Sequence, residues 1–299
     1  MKILIACIHY PSASGRFIAR AFRRMGHDVR TTGPSTGAGI WGIEVDPRWI
    51  WTPDFDPAMD SWQLDGADWN PDLMITADSG YIFDWVPRKP TPHILWGVDN
   101  HVRDYQGRIY DAMFFAHNWG YRIGEPNTHW LPPAYDPETH VDLHRERDIP
   151  VGMMAVPYHA RQAMADRFAQ MGLPLVAGVG MLWDDYRDWY NRVKVAVLKS
   201  VVGDLTQRFF ECMAMGCAVL CDHPKDAEAL GFRAYIDYLP YYDDDDAVEK
   251  AKRLLENGRW VEFARRGQMT VRPHTWDARA LELVRTMDKI KLAPGLATC

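Results

Sequence analysis

One stretch concentrates residues able to do chemistry: Gly203-Asp204-Leu205-Thr206-Gln207-Arg208-Phe209-Phe210-Glu211-Cys212-Met213-Ala214-Met215-Gly216-Cys217-Ala218-Val219-Leu220. It reads as a loop, a helix and a buried strand. Gly216 stands where a helix C-terminus asks for a left-handed residue. Phe209, Phe210, Cys212, Met213 and Ala214 make most of the helix apolar, so deep burial is expected. Yet Asp204, Arg208 and Glu211 follow one another at spacings of four and three, on one helix face. Charges on a buried helix are costly unless they pair or face a ligand. Two readings stay open. Arg208 forms an internal salt bridge with Glu211 or Asp204. Alternatively, the helix N-terminus and Arg208 hold a phosphate, while the Glu211 carboxylate accepts hydrogen bonds from ribose hydroxyls. The second arrangement suits a nucleoside diphosphate.

The elements that would position this face form a repeated pattern. Residues 2–8 are a continuous apolar run, as in a strand buried on both faces of a parallel sheet. A loop with Pro11, Ser12, Ser14 and Gly15 follows, then a helical pattern through Met25 to Gly26 and a strand near 27–30. Further strands are expected near 73–77, 93–98 and 112–116, each ending in polar or glycine residues. The Pro-rich, charged segment 132–149 is the linker candidate. A second βαβ series begins near Val151, with helices near 159–171, 183–191 and 205–215, strands near 174–178, 193–198 and 217–222, and a helical tail over 246–292. The fold class is therefore α/β, with two consecutive doubly wound domains, over 1–148 and 149–275. A length of 299 residues suits two domains at about 100–200 residues each. The net charge of −6, with neither half basic, argues against strong non-specific nucleic-acid binding. Nothing reads as a signal peptide or membrane span, so an intracellular, cytoplasmic protein is expected. The five cysteines include no C-x-x-C pair and mostly sit in apolar runs; buried reduced thiols are expected.

The segment "GDLTQRFFECMAMGCAVL" resembles the R-x-F-E-A-x-A-x-G-x-x-V/L motif of GT-B glycosyltransferases, nearest the CgeB-like branch of the group 1 enzymes. "WYNRVKVAVLKS" (189–200), "HTWDARALELVRTM" (274–287) and "VPYHAR" (156–161) resemble that family's Y-N-x-x-K-I strand, H-T-Y-x-x-R-A closing helix and G-x-x-Y-x-x-R strand end. The likeness is weaker before residue 150, in "PDLMITADSG", "HILWGVDNH" and "THWLPPAYDPETH". It implies two Rossmann-like domains with a cleft between them, and a last helix, 276–299, crossing back to the first. It implies transfer of a hexosyl group from a nucleotide sugar, expected to be UDP-linked, without a bound metal or other cofactor. Glu211 would bind the ribose, and Arg208 and Arg161 the diphosphate. Thr206 and the backbone near Gly203 and Asp204 would contact phosphate, and Tyr158 would pack on the donor. The N-terminal domain would take a hydroxyl acceptor: a glycan, a protein, a small molecule or a hydroxymethylated DNA base. Retaining relatives carry a second glutamate eight positions before the ribose-binding one; here that position is Gly203. This leaves two competitors, a non-catalytic nucleotide-sugar-binding protein and a sugar epimerase of the same fold.

Weaker candidates are weighed against plainer roles. Asp99 and His101 follow the strand at 93–98, and either can serve as general base for an acceptor hydroxyl, or cap a loop. His9 ends the first strand, and His117-Asn118 follow the strand at 112–116; each borders a ligand crevice or makes an ordinary turn. His140 and His144 are four apart, but no third metal ligand is evident. Gly178 and Gly180 lack the third glycine of a dinucleotide fingerprint. Asp243 to Asp246 read as a solvated helix start. Trp41, Trp49, Trp51, Trp62 and Trp69 serve either core or acceptor platform. Arg16, Arg20, Arg23, Arg24 and Arg30 make the first helix basic, either a solvated face or a guide for a phosphate-bearing acceptor.

Overall fold

The computed structural model describes residues 1–7, 13–33, 39–40, 43–44, 69–77, 91–105 and 110–292. The chain divides into two compact units. One comprises Met1–Gly37, Trp51–Pro132 and Thr275–Cys299; the other comprises Ala38–Ile50 and Pro133–His274.

In the first unit, β1 (Lys2–Ala6), α1 (Ser14–Arg24) and β2 (Asp28–Thr32) form a parallel βαβ opening. A two-residue ladder, β3 (Gly39–Ile40) with β4 (Ile43–Glu44), comes next in sequence and belongs to the second unit. The sheet continues with β5 (Leu73–Ala77), β6 (His93–Gly97), β7 (Ala112–Phe115) and β8 (Thr128–Trp130). Its order is β2-β1-β5-β6-β7-β8 and all its pairs are parallel. The apolar runs KILIA, LMITA, HILWG and AMFF bury almost every residue, as a sheet covered on both faces requires.

The second unit runs β9 (Ile149–Met154), α2 (His159–Gln170), β10 (Val176–Gly178), α3 (Trp183–Tyr190), β11 (Val193–Leu198), α4 (Gln207–Ala214), β12 (Ala218–Asp222), β13 (Leu239–Tyr241), α5 (Asp244–Leu255) and α6 (Trp260–Val271). Its parallel sheet has the order β10-β9-β11-β12-β13. The chain lays β10 on one side of β9, then crosses to lay β11 on the other. The carboxyl ends of β9 and β11 thus flank the point where strand order reverses, which is where open α/β sheets bind ligands. One core face packs Tyr190, Phe209, Phe210 and Met213 under α3 and α4. The other packs Met164, Phe168, Ala247 and Leu254 under α2 and α5.

α7 (Trp276–Leu292) belongs to the first unit and packs on α1. The Trp276 ring, fully buried, stacks at 6.3 Å on Phe17 and meets Trp96 edge-on at 5.2 Å. Arg24 pairs with Asp277 at 2.7 Å, and Arg279 Nε donates to the Pro132 carbonyl at 2.9 Å.

Two expectations need correction. Residues 133–148 are not a linker. Asp136, Thr139 and His140 are buried, and the Arg147 guanidinium donates to the carbonyls of Tyr190, Val193 and Met215 at 3.0, 2.6 and 2.6 Å. Its charge locks the segment against the turn after α4 instead of solvating it. The basic face of α1 is not simply solvated either: Arg16 is fully buried and Arg24 is bridged to α7. Trp69 serves the core, donating from Nε1 to Asp28 at 3.1 Å under the Arg30 guanidinium. The other four tryptophans lie outside the described residues. Cys7, Cys212, Cys217 and Cys221 are buried. Among the described residues, no helix is long and apolar enough to cross a membrane.

Trp276→Ala removes the ring between α1 and the first sheet, and large-to-small changes of this kind cost about 3–5 kcal/mol. Urea denaturation should show a loss of that size; one below about 1 kcal/mol would mean that α7 is not anchored through this side chain.

Candidate functional site

The second sheet's carboxyl edge brings together most of the residues singled out in the sequence. Arg161 lies in the first turn of α2, whose N-cap is Tyr158. Only 7% of Arg161 is exposed. Its Nε and Nη2 donate to the Lys199 carbonyl just past β11 at 3.0 and 2.9 Å, and Nη1 to the Val156 carbonyl just past β9 at 3.0 Å. Arg208, in the first turn of α4, donates from Nη1 to the Met154 carbonyl at 2.9 Å. Both guanidiniums are thus fixed at the switch point by backbone oxygens that carry no net charge. Among the described residues, neither forms an ion pair with a carboxylate, so the internal salt bridge left open by spacing is not made. Burial, and then the nearby Arg208 charge, lower the Arg161 pKa to about 10. The Arg161 guanidinium also lies 5.0 Å from the centre of the exposed Tyr158 ring. Arg161 is thus a buried cation with a second guanidinium close by, an arrangement that a diphosphate would relieve.

The loop between β11 and α4 is tightly built. Gly203 takes φ +79°, donates its N–H to Ser200 Oγ at 2.8 Å and accepts from Lys225 N at 3.3 Å. Ser200 in turn donates from N and Oγ to Asp222, whose carboxyl is held above its ordinary pKa by burial. Asp204 Oδ1 accepts from the amides of Val201 and Val202 at 3.3 and 3.4 Å. Thr206 is the N-cap of α4 in extended conformation, but its hydroxyl makes no cap bond to the helix. The left-handed backbone at position 203 suits glycine, since a side chain there would be strained.

Glu211 sits one turn further along α4 and is 5% exposed. Oε2 accepts from Tyr186 Oη at 2.7 Å and Oε1 from Gln207 Nε2 at 2.6 Å. His140 Nε2 lies 3.3 Å from Oε1. The Asp136 N–H donates to His140 Nδ1 at 3.0 Å, which leaves Nε2 as the ring's donor towards the carboxylate. Burial, and then the Glu211 charge, push the Tyr186 pKa well above its ordinary value, keeping the hydroxyl a donor. The sequence reading missed all three partners. Gln207, at i−4 on the same helix, was legible in principle; His140 and Tyr186 approach from 71 and 25 positions away. His140 and His144 meet different partners, Glu211 and Asp142, and their side chains are 3% and 86% exposed.

In the first unit, Asp99 lies 3.6 Å from Arg103 and its carbonyl closes the turn after β6, accepting from Val102 and Arg103. The His101 ring meets His117 edge-on at 4.5 Å, and Trp119 lies 5.5 Å from it. Buried Asn100 staples the loops after β6 and β7, donating to the carbonyls of His117 and Trp119 and accepting from His117 N. His101 and His117 are thus brought together at this sheet's carboxyl edge. His9 lies outside the described residues.

Residues 161–285 match the family model described as glycosyl transferase-like. No curated protein sequence matches the chain. Similar solved structures include sucrose-phosphate synthase from Thermosynechococcus elongatus, with TM-score 0.65 and 14% identity over 97% of this chain and 99% of that one. An alpha-glucosyltransferase in complex with UDP and a 13-mer DNA gives 0.66 and 12%, over 97% and 100%. Anabaena HepE in complex with UDP-glucose gives 0.67 and 9%, again over 97% and 100%. The fold is GT-B, and the family match covers the segment that holds Arg161, Arg208 and Glu211.

Gly203→Ala places a Cβ on a left-handed backbone at a cost of about 1–2 kcal/mol. The variant should melt a few degrees lower; an unchanged melting temperature would show that the loop relaxes freely and that its shape is not built in.

Proposed function

We propose that this protein is a glycosyltransferase that moves a sugar from a UDP-linked donor to a hydroxyl acceptor, with the donor held by the second unit. The observation that carries the reading is the pair of guanidiniums, Arg161 and Arg208. They are held by neutral carbonyls at the switch point, with the N-terminus of α4 beside them. In the transfer, the bond between the sugar's anomeric carbon and the β-phosphate oxygen breaks, and its electron pair leaves with the diphosphate. A new bond forms from the anomeric carbon to the acceptor oxygen, whose proton passes to a base. Arg161, Arg208 and the α4 dipole would stabilise the departing charge without a resident metal. Thr206, Asp204 and the Gly203 backbone would border the phosphates, Tyr158 would pack on the donor, and Glu211 would take the ribose.

The first unit would bind the acceptor, with Asp99 or His101 as the candidate base. The bound DNA of the alpha-glucosyltransferase neighbour makes hydroxymethylated DNA one acceptor to screen beside glycans, proteins and small molecules. The net charge of −6 ranks it behind uncharged acceptors.

Nucleotide binding tests the reading first. In a thermal-shift panel of UDP, GDP, ADP, CMP and dTDP, UDP should stabilise by about 2.7 kcal/mol at 100 times its Kd. Arg161→Ala and Arg208→Ala should each weaken UDP by about 1.5–3 kcal/mol, the range for hydrogen bonds to charged groups, and leave uridine binding unchanged. Equal losses for UDP and uridine would remove both arginines from the diphosphate site. Slow release of free sugar from a UDP-sugar would separate a transferase from a binding protein, and donor isomerisation would identify an epimerase.

A further inference from the structure

We infer that His140 and Tyr186 are positioning residues that aim the Glu211 carboxylate at the donor's ribose, and that the Gln207 amide is an internal stand-in for a ribose hydroxyl. The inference rests on the donor reading above and adds to it the residues that shape its ribose end.

A carboxylate offers about four acceptor positions. On Glu211, Tyr186 Oη donates to Oε2 and Gln207 Nε2 to Oε1, and His140 Nε2 lies 3.3 Å from Oε1. The three donors are not equivalent. His140 is almost fully buried and locked through its other nitrogen by the Asp136 N–H. Its ring meets Tyr186 edge-on at 6.1 Å, and Tyr186 packs edge-on against buried Tyr190 at 4.8 Å. These two donors are braced by aromatic packing and backbone, so they define the plane in which the carboxylate lies. Gln207 is different. It is partly exposed, it sits in the first turn of α4 beside Arg208, and its long side chain rotates at little cost. If its amide swings off Oε1, one acceptor position opens there beside the free one on Oε2. Two positions on one carboxylate match the two hydroxyls of a ribose. The rigid pair then holds the geometry while the mobile amide yields, as a recognition group braced from behind requires.

A plain structural role, in which all three donors only satisfy a buried charge, predicts something else. There, loss of any of the three destabilises the protein and leaves ligand preference unchanged. Calorimetric titration of UDP and 2′,3′-dideoxy-UDP separates the two. The wild type should prefer UDP by about tenfold or more, the scale of one hydrogen bond to a charged group. His140→Leu and Tyr186→Phe should cut that preference at least threefold, with little change in dideoxy-UDP affinity. His140→Gln, whose amide can still donate to Oε1, should restore it in part. Gln207→Ala should keep the preference and bind UDP at least as tightly as the wild type. A wild-type preference in folded His140→Leu and Tyr186→Phe overturns the clamp, and a Gln207→Ala variant that loses the preference overturns the stand-in. Should His140→Leu fail to fold, Tyr186→Phe and His140→Gln carry the comparison. Glu211→Gln marks which reading has failed: preference lost there but kept in the clamp variants sinks this inference alone. No UDP binding by the wild type sinks the donor reading together with it.

Discussion

A carboxylate taken out of water must be met by donors, and the second unit is arranged around that requirement at Glu211. The helix that carries it is apolar on most of its surface and packs Phe209, Phe210 and Met213 into the core. Its burial drags Glu211 inside, where an unmet charge would be strongly destabilising. Donors therefore arrive from three places: α4 itself through Gln207, α3 through Tyr186, and the 136–140 turn through His140. The last contact explains why the Pro-rich segment is packed rather than extended. Asp136 accepts from the amides of Glu138 and Thr139, and its own N–H fixes the His140 ring. Arg147 then ties the end of the segment to the turn after α4.

The positive charges a short distance along the same edge are treated in the opposite way. Arg161 and Arg208 have carbonyl acceptors for their N–H groups but no carboxylate partner among the described residues. The Arg161 guanidinium bonds only to neutral oxygens, and its lowered pKa records burial next to another cation. A protein built only for stability would pair these groups or expose them. On the proposed reading, a ligand's phosphates would neutralise that charge, while its ribose would rest on shape and hydrogen bonding. The binding of an anionic nucleotide would draw on both, in one crevice set by the crossover between β9 and β11.

The loop after β11 shows how backbone geometry limits which groups can serve. Position 203 needs a left-handed residue, because its N–H turns inward to Ser200 and its carbonyl outward to Lys225. An acidic side chain cannot be placed there without strain. Asp204, one residue on, is turned back onto the loop's own amides.

Much of this was legible in the sequence. Apolar runs bounded by glycine and polar residues located both parallel sheets, and strands at 73–77 and 193–198 match the structure residue for residue. Periodicity works for such elements because burial on both faces leaves a local signature. The Arg208 and Glu211 spacing also called for an explanation, since charges on an apolar helix demand a reason, whereas Asp204 lies in the loop before α4 rather than on its face. Spacing alone could not say which charge would be paired. That depended on contacts across 71 positions to His140 and 54 to Met154, made only when β9, β11 and the 133–148 segment come together. The sequence by itself determined the alternation of strands and helices and the residues that had to be explained. Only the tertiary structure decided that Glu211 is satisfied from within and that Arg161 and Arg208 are not, because hydrogen-bond partners are chosen by proximity in space, which local sequence does not encode.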